Sequence, residues 1–199
     1  MSHAGHEHDP YGNPADLEDY LRRLEGSERA GWQKPDECVA ALGLGPGDSA
    51  CEIGAGPGYF ALRLARKAGH VFAVEVHPRM LEILRERISK AGVSNLTPVL
   101  ALRDDPLLAP ASCDLALIVN TFHHFPDGVL YLRRLTRSLK PGGRVVNIDF
   151  HERELPVGPP PEHKLSRDAF LRIAGKAGLR LDREHTFLPW QYFLELRPA

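Results

Sequence analysis

One acidic residue followed by three alternating glycines, Glu52-Ile53-Gly54-Ala55-Gly56-Pro57-Gly58-Tyr59, constrains this chain more than any other stretch. The apolar run 49–53 leads into it, and Phe60 and Leu64, spaced for one helical face, lead out of it. A strand must therefore turn into a helix within a few residues. Glycine suits such a turn because it adopts positive φ without steric cost, and because backbone lacking Cβ can approach a ligand closely.

The same strand-then-helix rhythm continues after Pro46-Gly47-Asp48. Short apolar runs predict strands at 49–53, 71–76, 97–100, 115–119 and 144–148. Helical faces fall between them: Phe60 with Leu64, then Leu81, Leu84 and Ile88, then Val129, Leu132, Leu135 and Leu139. Segment 104–112 is too short and proline-rich for a full helix. A last helix takes Ser166 as N-cap and Asp168 in its first turn, and stops at Gly178. Runs 179–186 and 191–197 then predict two strands whose tight connection around Pro189 favours antiparallel pairing.

The expected fold class is α/β: a doubly wound, mostly parallel seven-stranded sheet with a terminal antiparallel strand and an N-terminal helical cap. The cap, residues 14–45, begins with Leu17, Tyr20, Leu21 and Leu24 on one helical stripe and continues with a helix from Pro35 to Leu42. Residues 1–13 are polar and lack periodicity, which predicts a flexible arm; 14–199 read as one domain.

Composition narrows the partners. A formal net charge of -1 over 199 residues argues against a broad nucleic-acid or anionic-membrane footprint. Arg133, Arg134, Arg137 and Lys140 are spaced for a solvated helix face and its last turns. Cys38, Cys51 and Cys113 are odd in number and widely spaced, which predicts free thiols in a reducing compartment. No run reaches signal-peptide or membrane-spanning length, so a cytoplasmic location and no membrane insertion are expected.

Ligands of an open α/β sheet bind beyond the carboxyl ends of its strands, near the switch in strand order. Glu52 and the glycine turn lie there after the first strand, and Glu75-Val76-His77 after the second. A carboxylate at Glu75 is spaced to accept hydrogen bonds from ribose hydroxyls. Arg103-Asp104-Asp105 follows the third strand, Asn120-Thr121-Phe122-His123-His124-Phe125-Pro126-Asp127 the fourth, and Asp149-Phe150-His151-Glu152 the fifth. The glycine turn departs from the dinucleotide pattern G-x-G-x-x-G, having Tyr59 where the third glycine belongs, and this weakens an NAD-dependent oxidoreductase reading.

Taken in order, the Glu-x-Gly-x-Gly-x-Gly turn, the His-His-Phe-Pro-Asp loop and Lys140-Pro141-Gly142-Gly143 resemble the motifs of the Rossmann-like (class I) S-adenosylmethionine-dependent methyltransferases, especially the small-molecule, ubiquinone/menaquinone type. Trp32-Gln33-Lys34-Pro35-Asp36 resembles the segment that approaches the methionine part of the cofactor in protein-isoaspartate methyltransferases. The resemblance spans about residues 30 to 150. It implies S-adenosylmethionine as cofactor, with Trp32, Gln33, Glu52, Gly54, Ala55, Gly56, Gly58, Glu75, Val76, Asp104, Asp105 and Asn120 around it. Either Asp104 or Asp105 would meet the adenine amino group.

The implied reaction is in-line displacement of the methyl group by a small-molecule acceptor. Alignment carries most of such catalysis, and His123, His124, Asp149 and His151 are the candidate proton acceptors. A non-catalytic cofactor- or metal-binding module is the alternative. His77, His123, His124, His151 and His163 all fall at the expected ligand edge, yet none forms a recognisable metal signature, and no metal is assigned. The proline-rich stretch 151–164 is expected to wall the acceptor pocket with the N-terminal helix.

Overall fold

The computed structural model describes residues 21–22 and 26–199. The expected arm at 1–13 and most of the first cap helix, with Leu17, Tyr20 and Leu24, lie outside the described residues. Two short helices remain of the cap, α1 (Ser27–Gln33) and α2 (Pro35–Ala41), joined at Lys34 in the left-handed conformation.

Beyond them come β1 (Ser49–Ile53), α3 (Ala61–Leu64), β2 (His70–Glu75), α4 (Pro78–Ala91), β3 (Leu96–Leu100), β4 (Cys113–Val119), α5 (Gly128–Arg137), β5 (Leu139–Phe150), α6 (Arg167–Lys176), β6 (Leu179–His185) and β7 (Gln191–Pro198). The seven strands form one sheet in the order β3-β2-β1-β4-β5-β7-β6. β7 pairs antiparallel with both β5 and β6, while the β1–β2, β1–β4, β2–β3 and β4–β5 pairs are parallel. Strand order reverses between β1 and β4, which places the glycine turn at the switch point.

Apolar side chains leave both sheet faces. One face packs under α2, α3 and α4 through Val39, Leu42, Leu64, Leu81 and Leu84. The other packs under α5 and α6 through Tyr131, Leu132, Leu135, Phe170 and Ala174. Helices on both faces make the sheet doubly wound, as expected. Ser166 caps α6, its hydroxyl accepting from the Ala169 amide, and Gly178 follows with φ +87°. No α-helix forms between β3 and β4, where the chain makes only an isolated bridge between Leu102 and Asp105.

Leu139 is a correction. It begins β5 and pairs with Cys113, so α5 ends two residues earlier. The Lys-Pro-Gly-Gly turn is thus absorbed into an irregular strand start, with a register shift between Cys113 and Leu115. Among the described residues no helix is long and apolar enough to cross a membrane.

Candidate functional site

The ends of β1, β2 and β4 open into a cleft lined on one side by residues 52–57 and on the other by Val119, Asn120, Thr121, His124 and Phe125. The glycine turn owes its course to close packing within the protein. Gly54 (φ +71°) faces Thr121, whose Cγ2 would lie 2.5 Å from an added Cβ; Gly58 (φ +91°) faces Leu84 Cδ1 at the same 2.5 Å. Gly58 therefore lets α4 pack closely onto the turn. Gly54 and Ala55 both donate their amides to the Val74 carbonyl, which ties the turn to β2.

Glu75 locks the turn from the other side. Its carboxylate accepts from the amides of Gly56 (2.8 Å), Val76 (2.7 Å) and His77 (2.9 Å) while remaining 7% exposed at the cleft. His77 in turn caps α4, its ring nitrogen accepting from the Arg79 amide.

Glu52 is stranger. It is 3% exposed, it lines the cleft, and its Oε2 has no hydrogen-bond partner. Burial pushes its carboxyl up to about 8, against the opposing pull of the Ala61 amide, Arg29 and Arg63 and with a small push from Glu75. Desolvation wins because a buried carboxylate without enough donors is costly. Arg29 and Arg63 both sit over the Tyr59 ring, at 4.0 and 4.3 Å from its centroid, and Arg29 and Tyr59 line the cleft mouth.

A second polar group closes the β4 side. His123 Nδ1 lies 3.0 Å from Asp149 Oδ2, with Asp149 1% exposed and its Oδ1 accepting from the Phe150 amide. The His123 ring contacts the His124 ring at 4.2 Å between centroids, and of the two it is His124 that lines the cleft. Asn120, left-handed at φ +52°, also lines it; its Oδ1 accepts from Gln191 Nε2 at 2.6 Å.

Other expected residues lie apart. Trp32 packs against Phe150 and Trp190, with centroids 5.6 and 5.8 Å away, and Gln33 is wholly buried behind the wall, so the N-terminal residue on the cleft is Arg29. Asp104 and Asp105 both turn to Arg134, at 2.6 and 3.7 Å, leaving Leu102 and Arg103 as the lining of that corner. His151 faces a separate surface depression with Glu152, Arg153 and the start of α6; burial first, then Arg153, lowers its pKa.

No residue of 151–164 lines the main cleft. That loop folds back over the sheet end, with Gly158 against the Phe150 ring and Lys164 donating to the Arg153 carbonyl at 2.7 Å. Among the described residues no three His, Cys, Asp or Glu side chains gather as a metal-holding group. Sequence reasoning missed Arg29, Met80, Leu102, Phe125 and Tyr131 as cleft lining. Only Tyr131 carried a signal, as a polar-tipped ring on the apolar face of α5.

Residues 51–147 match a family described as a methyltransferase domain. The chain is 37% identical over 131 residues to the protein-L-isoaspartate O-methyltransferase of Methylorubrum extorquens (strain PA1), covering 65% of this chain and 50% of that protein. It is 34% identical over 116 residues to the ubiquinone/menaquinone biosynthesis C-methyltransferase UbiE of Brucella anthropi, covering 56% of this chain and 44% of that one. The chain thus spans about half the length of these relatives. In fold it is similar to a SAM-dependent methyltransferase from Aquifex aeolicus, with a TM-score of 0.85 at 23% identity over 91% of this chain and 98% of that one.

Proposed function

We propose that this chain, which belongs to the Rossmann-like (class I) S-adenosylmethionine-dependent methyltransferase superfamily, transfers the methyl group of that cofactor to a small-molecule acceptor by in-line displacement. One observation carries the reading: Glu52 leaves a buried, unpartnered carboxyl oxygen on the wall of a cleft closed by the glycine turn. A ligand that brings a hydrogen-bond donor satisfies that oxygen, and a positively charged donor does so best. S-adenosylmethionine brings positive charge at its sulfonium and ammonium groups, so the residues present fit it.

Glu75, fixed by three backbone amides, still has lone pairs for ribose hydroxyls. Val76, Met80 and Leu102 supply apolar surface for a purine, and Arg29 and Asn120 supply donors. When bound, the cofactor provides an electrophilic methyl group on a good leaving group. The chain's own work is then alignment and water exclusion, which are worth roughly 7–11 kcal/mol in well-oriented systems.

Where the attacking atom carries a proton, His124 is the base, since it is the expected catalytic residue that lines the cleft. Asp149 orients His123, and the His123 ring backs His124. His151 lines a separate surface depression and not this cleft. Relatives named for protein and quinone substrates leave the acceptor open; a concave cleft walled on both sides and shared with the cofactor favours a small one.

The test is twofold. Calorimetry should give saturable binding of S-adenosylmethionine, and incubation with a radiolabelled methyl donor and a panel of phenols, quinols, amines, thiols and carboxylates should yield S-adenosylhomocysteine with at least one. Binding without turnover on any of them would favour a non-catalytic binding module.

A further inference from the structure

Behind the cleft runs a buried chain of amides with a single allowed direction. Arg29 Nε donates to Gln33 Oε1, Gln33 Nε2 donates to Gln191 Oε1 at 3.3 Å, and Gln191 Nε2 donates to Asn120 Oδ1 at 2.6 Å. A guanidinium has only donors, so Gln33 must offer it the carbonyl oxygen. Each later amide then has its oxygen turned toward Arg29 and its nitrogen turned toward Asn120. Gln33 is wholly buried and Gln191 is 2% exposed, so water does not compete for these groups.

We infer that Gln191, which lies outside the cleft, is a positioning residue that fixes the Asn120 amide with its two N–H groups toward the ligand. The site then requires an acceptor oxygen beside Asn120. Arg29, the other end of the chain, also lines the cleft and also only donates, so a carboxylate suits this corner best. β7 starts at Gln191, and its place beside β5 brings that first residue to the end of β4.

The ligand arm of the test rests on the methyl-donor reading; the spectroscopic arm does not. In Gln191→Glu the carboxylate accepts from Asn120 Nδ2, which turns the Asn120 oxygen into the cleft. Gln33→Glu, two links away, does the same indirectly: its carboxylate takes Arg29 and Gln191 Nε2, so Gln191 rotates and accepts from Asn120. Its charge is matched by Arg29, which protects folding should Gln191→Glu fail to fold.

Both variants should bind S-adenosylhomocysteine at least ~10-fold more weakly, as expected for loss of a hydrogen bond to a charged acceptor. Both should bind 5′-methylthioadenosine, which lacks the carboxylate, within about twofold of the parent protein. Nitrogen-15 NMR should show the Asn120 side-chain amide shifted and its protons slowed in exchange. Unchanged homocysteine-ligand affinity, or equal losses for both ligands, overturns the inference. If the parent protein binds neither ligand, the methyl-donor reading fails, and an unmoved Asn120 amide signal in Gln33→Glu overturns the relay on its own.

Discussion

Replacing Glu52 by glutamine should flatten one component of the pH dependence of folding. In an unfolded chain this carboxyl ionises near its ordinary 4.5, and in the folded protein at about 8, chiefly because it is buried. The folded state therefore holds the proton more tightly than the unfolded one. Below 4.5 both states are protonated and the contribution is fully present; it is lost as pH rises through 8. Each pH unit in that window lowers the stability of the parent protein by about 1.4 kcal/mol, so the whole window is worth on the order of 5 kcal/mol. The Glu52→Gln side chain has nothing to ionise, and every other titrating group is common to both proteins. Urea unfolding of parent and variant at a series of pH values from about 5 to about 8 gives the stability difference directly. That difference should move against the parent by several kcal/mol across the series, whatever its constant offset. Two parallel profiles would refute the buried-acid reasoning.

Further outcomes follow from the same geometry. If Glu52 is neutral in the free protein and meets a cation in the complex, S-adenosylmethionine binding near neutral pH should release close to one proton; a calorimetric enthalpy independent of buffer ionisation heat would contradict this. Gly58→Ala combines φ +91° with a Cβ 2.5 Å from Leu84 Cδ1, and should cost roughly 2–4 kcal/mol by chemical denaturation, with less lost in a Leu84→Ala background. Glu75→Ala should weaken S-adenosylmethionine binding by about 1.5–3 kcal/mol and also loosen the turn, seen as faster amide exchange at Gly56, Val76 and His77. Asp149→Asn should lower kcat roughly 10²-fold with KM little changed, once an acceptor is known; an unaltered kcat removes the His123–Asp149 pair from the reaction.

The sheet, its switch point and the strand-end positions of Glu52, Glu75, Asn120 and His124 were legible because they follow from local periodicity and turn chemistry. The order of the last two strands was not read, although its signal was present. β7 carries Tyr192-Phe193-Leu194 and is buried nearly throughout, as an interior strand must be, whereas β6 is charged and exposed along most of its length, as an edge strand should be. Knowing that β7 lies inside would have brought Gln191 to the site. Trp32 and the Asp104–Asp105 pair stand off the cleft lining for another reason: proximity in sequence to a motif does not fix side-chain direction. Trp32 finds aromatic partners on β5 and the β6–β7 connection, and the two aspartates find Arg134 of α5, none of which local spacing reveals.

Because β7 lies between two neighbours rather than at the margin, the hairpin joins the sheet by its second arm, and β6 has no strand partner other than β7. The arm is thus a keystone: assembly of this flank awaits a segment far along the chain from the cap it meets, and Trp190 reaching Trp32 marks the moment of closure with an intrinsic fluorescent reporter. A refolding trace followed by tryptophan emission would time the seating of this hairpin against the cap.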